Sequence, residues 1–397
     1  VFDARGENRP KVLLLTVLHN RCLMLARKVK LQLNKTQVDQ LKTLRNKCAS
    51  AYNTFLQMNF ERIDAGEKTL THFDMIKISA ENGHYGIGSH IADMLCKRVD
   101  NAIKRWQESE KIKYKFWLQY GDEYRRPLKA YLAKAGKKLW GKPRFKTKGI
   151  SIQFPIRSLH QNRVQVNGKT TSVLVPLIGR VKGRNDRQAL IGQIKTASVE
   201  MDSCKTWWLT IVCDGEKPQE KIESRSKDIG VDLGLKHLIT GANEKEVIQP
   251  ERNRFLDKQM KVIAKASQKN RRALPFIYRK IARRRKHSHH VQARRLLEAA
   301  DTIIVGNLSS KFLFSGKLAR SASDAAHAQF RTILTFKAAN AGKSVKFVNE
   351  RDTSKTCYSC GKKHDMPLKE RHFECDCGYS ANRDVNAAWN ILKIGRV

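Results

Sequence analysis

The sequence predicts an α/β protein that also carries a small β-barrel, and three observations lead there. Between about 140 and 222, short apolar runs (SIQFPI, NRVQVNG, SVLVPLIG, WWLTIVC) are broken by Gly, Pro and Asn, the pattern of a small antiparallel barrel. From DIGVDLGLKHLIT onward, strand-like runs alternate with long helical patterns, which is the order of an α/β sheet. Four of the nine cysteines gather in CYSC and CDC, between 357 and 377.

The chain of 397 residues is long enough for two to four domains. Its 78 Lys and Arg against 37 Asp and Glu leave a formal charge of +41. A single basic run is usually a solvated face. An excess over the whole chain is different, because self-repulsion opposes compaction unless a polyanion neutralises it. A long nucleic acid is the expected partner, and its affinity should depend steeply on salt. The apolar run VLLLTVL is too short for a membrane span and no cleavage motif follows it, so no membrane role is expected. A reducing compartment is the default, with Cys22, Cys48, Cys96, Cys204 and Cys213 as small buried hydrophobes.

Taken in order, residues 1–23 match nothing that follows and are expected to be a poorly ordered leader. In 24–65, KVKLQL alternates like a strand and NKTQ opens a helix. Val38, Leu41, Leu44, Cys48 and Tyr52 give that helix one buried face. Residues 66–139 read as helical and basic, and WQESEKIKYKFWLQYGDEYRR mixes rings with charge as a surface for sugar-phosphate would. GKPRFKTKG opens the short strands of 140–222. ESRSK is a linker into 223–350, where a strand–turn–strand hairpin comes first. Two basic helices across 252–300 follow, anchored by Ile277, Ile281, Val291 and Leu296, and then the strand TIIV. One helix is expected from about 321 to 341, with Ala322, Ala326, Phe330, Ile333 and Leu334 on one face, before the strand SVKFV.

CYSC and CDC, separated by 14 residues, offer four thiols on two tight turns. Cys357, Cys360, Cys375 and Cys377 therefore suit one tetrahedral, structural Zn²⁺. The second pair is C-x-C, so His364 and His372 stand as reserve ligands. IGVDLGLK puts Asp232 on a strand between Gly230 and Gly234, and ANRDVNAAWNIL puts Asp384 on a helix directly after the cysteines. Alone, neither is remarkable.

The order of these pieces is specific. IGVDLGLK, basic helices, a strand, TSKTCYSCG, CDCG and RDVNAAWNI together resemble the RuvC-like nuclease half of transposon-encoded TnpB proteins, relatives of the Fanzor proteins and of compact type V CRISPR effectors. LQLNKTQ…AYNTFL, WGKPRFKTKG and LVPLIGRVKG resemble the wedge domain of the same family, so the likeness covers 24–397. It implies an RNase H-like (RuvC) nuclease domain at 223–350, completed by a C-terminal helix at 381–397. A zinc ribbon for target nucleic acid is inserted at 351–380. The wedge β-barrel would span 24–65 and 140–222, and a helical recognition domain 66–139. It also implies a guide RNA and cutting of target DNA next to a short flanking motif.

The family's acids are an Asp on the first strand, a Glu ending the strand before the long helix, and a final Asp. Asp232 and Asp384 match the first and last, but the middle position is Gly306. One strand further on, SVKFVNE ends in Glu350. In an RNase H-like sheet that strand lies parallel to TIIV at about 4.8 Å, a gap a glutamate side chain spans. Some TnpB relatives and Fanzors are similar in having a relocated glutamate. Glu350 is therefore the expected third acid, with Asp352 as a weaker substitute. Phosphodiester hydrolysis suits two Mg²⁺ roughly 3.5–4 Å apart, held by a few carboxylates. Asp232 would bridge them while Glu350 and Asp384 hold one each.

Arg383 is expected at the scissile phosphate, and Tyr52, Asn53, Arg144, Lys146, Arg283, Arg284 and Arg285 at nucleic acid. The expected function is an RNA-guided, Mg²⁺-dependent DNA endonuclease with guide RNA and target DNA as partners, working in the cytoplasm on the nucleoid of a prokaryote or in a nucleus. Monomer and dimer fit equally. One alternative is a nuclease-dead RNA-guided DNA binder or repressor. The other, a non-catalytic basic zinc-ribbon RNA-binding protein, leaves the pattern of Asp232, Glu350 and Asp384 unexplained.

Overall fold

The computed structural model describes residues 24–396 apart from 157–163, 168–169, 185–192, 215–220, 253, 308–317 and 368–369, so the expected leader lies outside the described residues. The chain divides into two compact units, the first ending at Glu216 and the second running from Lys217.

In the first unit β1 (Met24–Gln32) runs into α1 (Lys35–Asp64). Asn34 caps that helix reciprocally with Gln37, as NKTQ predicts. Leu41, Leu44, Cys48 and Tyr52 are buried along one side of α1, facing a shared core. The helices α2 (His72–Glu81), α3 (Ser89–Tyr120) and α4 (Arg125–Ala135) follow. Six further strands come after them: β2 (Ile152–Pro155), β3 (Val164–Asn167), β4 (Thr170–Val175), β5 (Gly179–Arg184), β6 (Gln193–Met201) and β7 (Trp207–Asp214). With β1 they form one antiparallel sheet in the order β2-β6-β7-β1-β5-β4-β3.

Two expectations need correction here. Among the described residues the outer strands β2 and β3 do not pair, so this is a sheet with two edges rather than a closed barrel. GKPRFKTKG is not a strand either; it crosses as irregular chain, fastened at Lys146 by Asn53 of α1, while the preceding Trp140 is held by Ser109 of α3. Cys48, Cys96, Cys204 and Cys213 are buried, and burial pushes the thiols of Cys48 and Cys96 up to about 12.

The second unit is built on a five-stranded sheet of order β10-β9-β8-β11-β12. Its strands are β8 (Ser226–Asp232), β9 (Thr240–Ala242), β10 (Val247–Ile248), β11 (Ala300–Gly306) and β12 (Ser344–Val348). β8, β11 and β12 are parallel while β9 and β10 return antiparallel, and Gly306 pairs with Val348. The basic helices are α5 (Met260–Lys269) and α6 (Leu274–Ala299). Ile281 and Leu296 anchor α6 in the core, whereas Val291 is exposed.

The single helix expected over 321–341 is two: α7 (Ala319–Ala325) and α8 (His327–Asn340). Ala326 between them is left-handed at φ 47°, a conformation that helical periodicity cannot reveal. The ribbon hairpin β13 (His372–Glu374) and β14 (Ser380–Asn382) leads straight into α9 (Arg383–Arg396). α9 lies so close on β8 that a Cβ at Gly230 would overlap the backbone of Ala388 and Leu392. Gly230 thus admits the helix that carries Asp384, rather than merely keeping the surroundings of Asp232 small.

Candidate active site

Asp232 is the last residue of β8, Glu350 follows β12 by two residues, and Asp384 lies in the first turn of α9. Parallel strands bring their carboxyl ends to one edge of the sheet, where α/β proteins place their chemistry. Burial pushes the Asp232 carboxyl up to about 8; the negative charges of Glu350 and Asp384 add to this, and Arg383 opposes it. Glu350 is pushed up to about 7 by burial, eased by Arg331. Its Oε2 is buried with no hydrogen-bond partner. Arg371 sits 3.5 Å from Asp384, whose backbone N–H donates to Asn382 Oδ1.

The relation between Gly306 and Glu350 is the most informative contact. A Cβ built on Gly306 would overlap Glu350 Oε2, and it would lie 3.1 Å from Glu350 Cβ and 3.0 Å from Ile391 Cδ1. The Glu350 side chain therefore occupies the space that a side chain at 306 would enter. Asp352 is turned elsewhere: it is left-handed at φ 65° and its carboxylate pairs with Lys363 at 2.9 Å.

Three carboxylates at one sheet edge, one of them with an orphaned oxygen, are a hard-donor set suited to a divalent cation such as Mg²⁺. They are more widely spaced than the thiols. Among the described residues, only Cys357, Cys360, Cys375 and Cys377 bring ligand atoms all within 4.8 Å of one another.

Those thiols lie 3.7 Å apart in Cys357–Cys377 and 3.5 Å in Cys360–Cys375. A tetrahedral ion with Zn–S bonds of about 2.3 Å sets its sulfurs about 3.8 Å apart, so the tight C-x-C turn does reach. The Tyr379 backbone N–H holds the Cys377 thiol down at about 7. His364 Nε2 stands 3.1 Å from Cys375 Sγ, beside the four rather than among them, while His372 pairs with Ser380 and Glu374.

Known proteins resemble this chain in two segments. Residues 210–315 match the family described as "Probable transposase" (OrfB of IS605), and residues 327–391 match the "Cas12f1-like, TNB domain". The two matched segments contain Asp232 and Asp384 respectively, with the cysteines and Glu350 in the second. In these segments the chain is similar to TnpB-like proteins. A "Putative RNA-guided DNA endonuclease" of Streptomyces pristinaespiralis is 31% identical over 213 residues, 50% of this chain and 52% of the relative. "TnpB-like protein L79" of Acanthamoeba polyphaga mimivirus is 29% identical over 227 residues, covering 51% and 43%. The chain thus aligns with about half the length of these relatives. In three dimensions the solved "mini-RNA-guided endonuclease CRISPR-Cas_phi3" shares the fold at TM-score 0.51 and 10% identity, over 94% of this chain and 92% of that one.

The expected nucleic-acid residues divide. Arg144, Arg283 and Arg284 are exposed. Tyr52 is only 3% exposed and belongs to the core, so it is not placed for the contact expected of it. Asn53 pairs in both directions with the backbone of Lys146, at 3.0 and 2.7 Å, and the Lys146 ammonium lies over the Tyr52 ring at 5.2 Å. Arg285 donates to Ser323 O at 3.1 Å. Arg383 is 7% exposed, and it donates to Pro367 O, Glu370 O and Ser354 Oγ at 2.9, 3.4 and 3.3 Å. It staples the ribbon to α9 instead of reaching freely for a phosphate.

Sequence reasoning missed the other clamp. Asn386 and Asn390 donate to the carbonyl of Thr356 at 2.8 and 2.7 Å, Asn390 also to that of Thr353 at 2.9 Å, and Tyr358 N–H donates to Asn386 Oδ1 at 3.1 Å. Two asparagines four residues apart on an otherwise apolar helix face were the available signal. His327, at the start of α8, likewise donates to Gly234 O at 3.0 Å, two residues past Asp232.

Proposed function

We propose that the chain is an RNA-guided, Mg²⁺-dependent DNA endonuclease that cuts target DNA beside a short flanking motif. Asp232, Glu350 and Asp384 are its acids. The observation that carries this reading is Glu350 filling the space above Gly306, at the same sheet edge as Asp232. A strand end with a merely solvated glutamate would not bury an unpartnered oxygen over the end of the neighbouring strand.

Asp232, whose charge is felt with those of both other acids, would be shared between two Mg²⁺, with Glu350 and Asp384 each holding one. Bound there, the ions would activate the attacking water and stabilise the leaving oxygen. The chain's own work is to hold the carboxylates. α9 presents Asp384 from a helix start, where a negative charge is favoured, with Arg371 beside it. Gly230 lets that helix close on β8, and the strand ends fix Asp232 and Glu350. One Zn²⁺ on the four cysteines folds the ribbon, and the asparagine clamp ties the ribbon to Asp384's helix.

In this reading the first unit supplies the wedge (24–65 and 140–222) and the recognition helices (66–139) for guide RNA and target. The test is cutting of flanked target DNA by protein purified with its co-expressed RNA. Cutting should require Mg²⁺ and vanish in Asp232→Ala, and a native complex that binds target without cutting would mean a nuclease-dead binder.

A further inference from the structure

Residues 137–148, KKLWGKPRFKTK, hold six basic and no acidic residues, yet they form no strand or helix beyond a bend. The strap is fastened at both ends. Trp140 N–H donates to Ser109 Oγ of α3 at 2.8 Å, and Lys146 is held by Asn53 of α1. Between these pins Trp140 is left 46% exposed, with the Arg105 guanidinium 5.2 Å and the Lys138 ammonium 5.0 Å from its ring. The Lys142 ammonium lies 4.3 Å from the Phe60 ring and 5.5 Å from Trp106.

Trp106 in turn borders an open groove of about 830 Å³, whose α3 wall carries Tyr114 and Trp117. Those two rings stack on each other at 6.0 Å and are exposed. From Trp106 to Trp117, along roughly 16 Å, the helix displays rings interleaved with Lys111, Lys113 and Lys115, and the groove's one acid, Glu110, is paired with Lys113 at 2.7 Å.

Core packing does not explain large rings left in water beside lysines. An aromatic face stacks on any unpaired base, and adjacent cations follow the backbone phosphates. A duplex hides its base faces, and a second copy of this chain would bring the same positive charge. We propose that the strap and this face of α3 bind a single-stranded stretch of polynucleotide. Lys138, Lys142 and Arg144 take the phosphates, and Trp140 and the Tyr114–Trp117 pair stack bases. The inference rests on the proposed function only in taking nucleic acid as the partner.

The experiment measures binding of a short labelled oligonucleotide of mixed sequence to the full chain by fluorescence anisotropy. The probe is supplied as single-stranded RNA, as single-stranded DNA and as blunt duplex DNA, each across a salt series. Trp140→Ala and Trp117→Ala should each weaken binding about tenfold in at least one single-stranded arm, which also identifies the strand type, with the salt slope and the duplex arm unchanged. Trp140→Phe should retain most of the affinity. Arg144→Ala should weaken every arm and lower the salt slope by about one. Native single-strand affinity in both Trp variants overturns the proposal. So does an equal loss in the duplex arm, or a change in sedimentation showing that these rings pair two copies of the chain. None of these readings needs cutting. A chain that never cuts leaves the test intact, and failure here leaves the acids' role untouched.

Discussion

Glu350→Gln isolates the charge at the position that replaces Gly306. The carboxamide keeps the shape that now fills the space above Gly306, so the local packing should survive. It removes one of three charges from the acid set, and with it a hard ligand for a divalent ion. A metal ligand in such a site is worth several kcal/mol of transition-state stabilisation. A loss of about 4 kcal/mol is about a thousandfold in rate. Single-turnover cutting of flanked target DNA by the RNA-loaded protein should fall by about that factor, while guided DNA binding, read by gel shift, stays near native. If Glu350→Gln cuts at the native rate and Asp232→Ala does not, Glu350 is only a strand end and the reasoning fails.

The structure also decides how the reverse swap must be made. Gly306→Glu in a Glu350→Gln background would fail for a trivial reason, because the glutamine still occupies the needed space. Glu350→Ala clears it, leaving contacts of 3.1 Å to the Cβ at 350 and 3.0 Å to the flexible end of Ile391 that small shifts absorb. Gly306 lies outside the left-handed region, so a side chain there does not strain the backbone. Gly306→Glu/Glu350→Ala should therefore regain part of the cutting that Glu350→Ala loses. Gly306→Glu alone should be destabilised by overlap with Glu350.

Three other outcomes follow from the same geometry. In metal-free protein, Asp232 and Glu350 have folded-state values raised above the ordinary carboxyl range near 4, to about 8 and about 7. The folded state then holds more protons than the unfolded one between about pH 4 and 8, and stability falls as pH rises through that window. Asp232→Asn should thus raise the melting temperature of the metal-free protein at pH 8 and hardly change it at pH 4; equal shifts at both pH values would refute the linkage. Cys357→Ser/Cys360→Ser should lose one Zn²⁺ per chain by elemental analysis and reduce cutting, since Asn386 and Asn390 would lose the ribbon carbonyls they hold. With a formal charge of +41, RNA affinity should drop by orders of magnitude between low and moderate salt, and a flat salt profile would argue against an electrostatic interface.

Much of the architecture was legible because period and punctuation agree with the fold. NKTQ marked a helix start that forms as a reciprocal cap, and TIIV and SVKFV read as strands that do lie parallel. The four thiols were legible from spacing alone. What escaped has a common cause: it depends on partners distant in the chain. Periodicity runs straight through Ala326, but the chain turns there, and Asp324 on α7 accepts from Leu256 N–H at 3.2 Å. Arg383 carries a charge that sequence assigns to phosphate, yet three oxygens of the ribbon claim its guanidinium. Tyr52 stands at a helical step of the buried face, and that step, rather than its ring chemistry, was the better guide to its place.

In the proposed reading, the pairing of Gly306 with Glu350 means that an acid missing at one strand end is not a missing site. In a parallel pair, residues in register at the carboxyl ends look out over the same edge, about 4.8 Å apart. An acid two residues past one strand end can therefore bring its carboxylate over its neighbour's last residue. That requires the neighbour to give up its own side chain, since the two would occupy one space. Here the neighbour is glycine, and a Cβ at 306 would overlap Glu350 itself. Glycine at 306 and glutamate at 350 are thus one feature of the sheet edge rather than a loss at one position and an unrelated acid at another. A dead site would need only the first half of that exchange. The buried, unpartnered Oε2 of Glu350 is the costly half, and an acid left in such a place without a cation to meet would be better replaced by almost any neutral side chain.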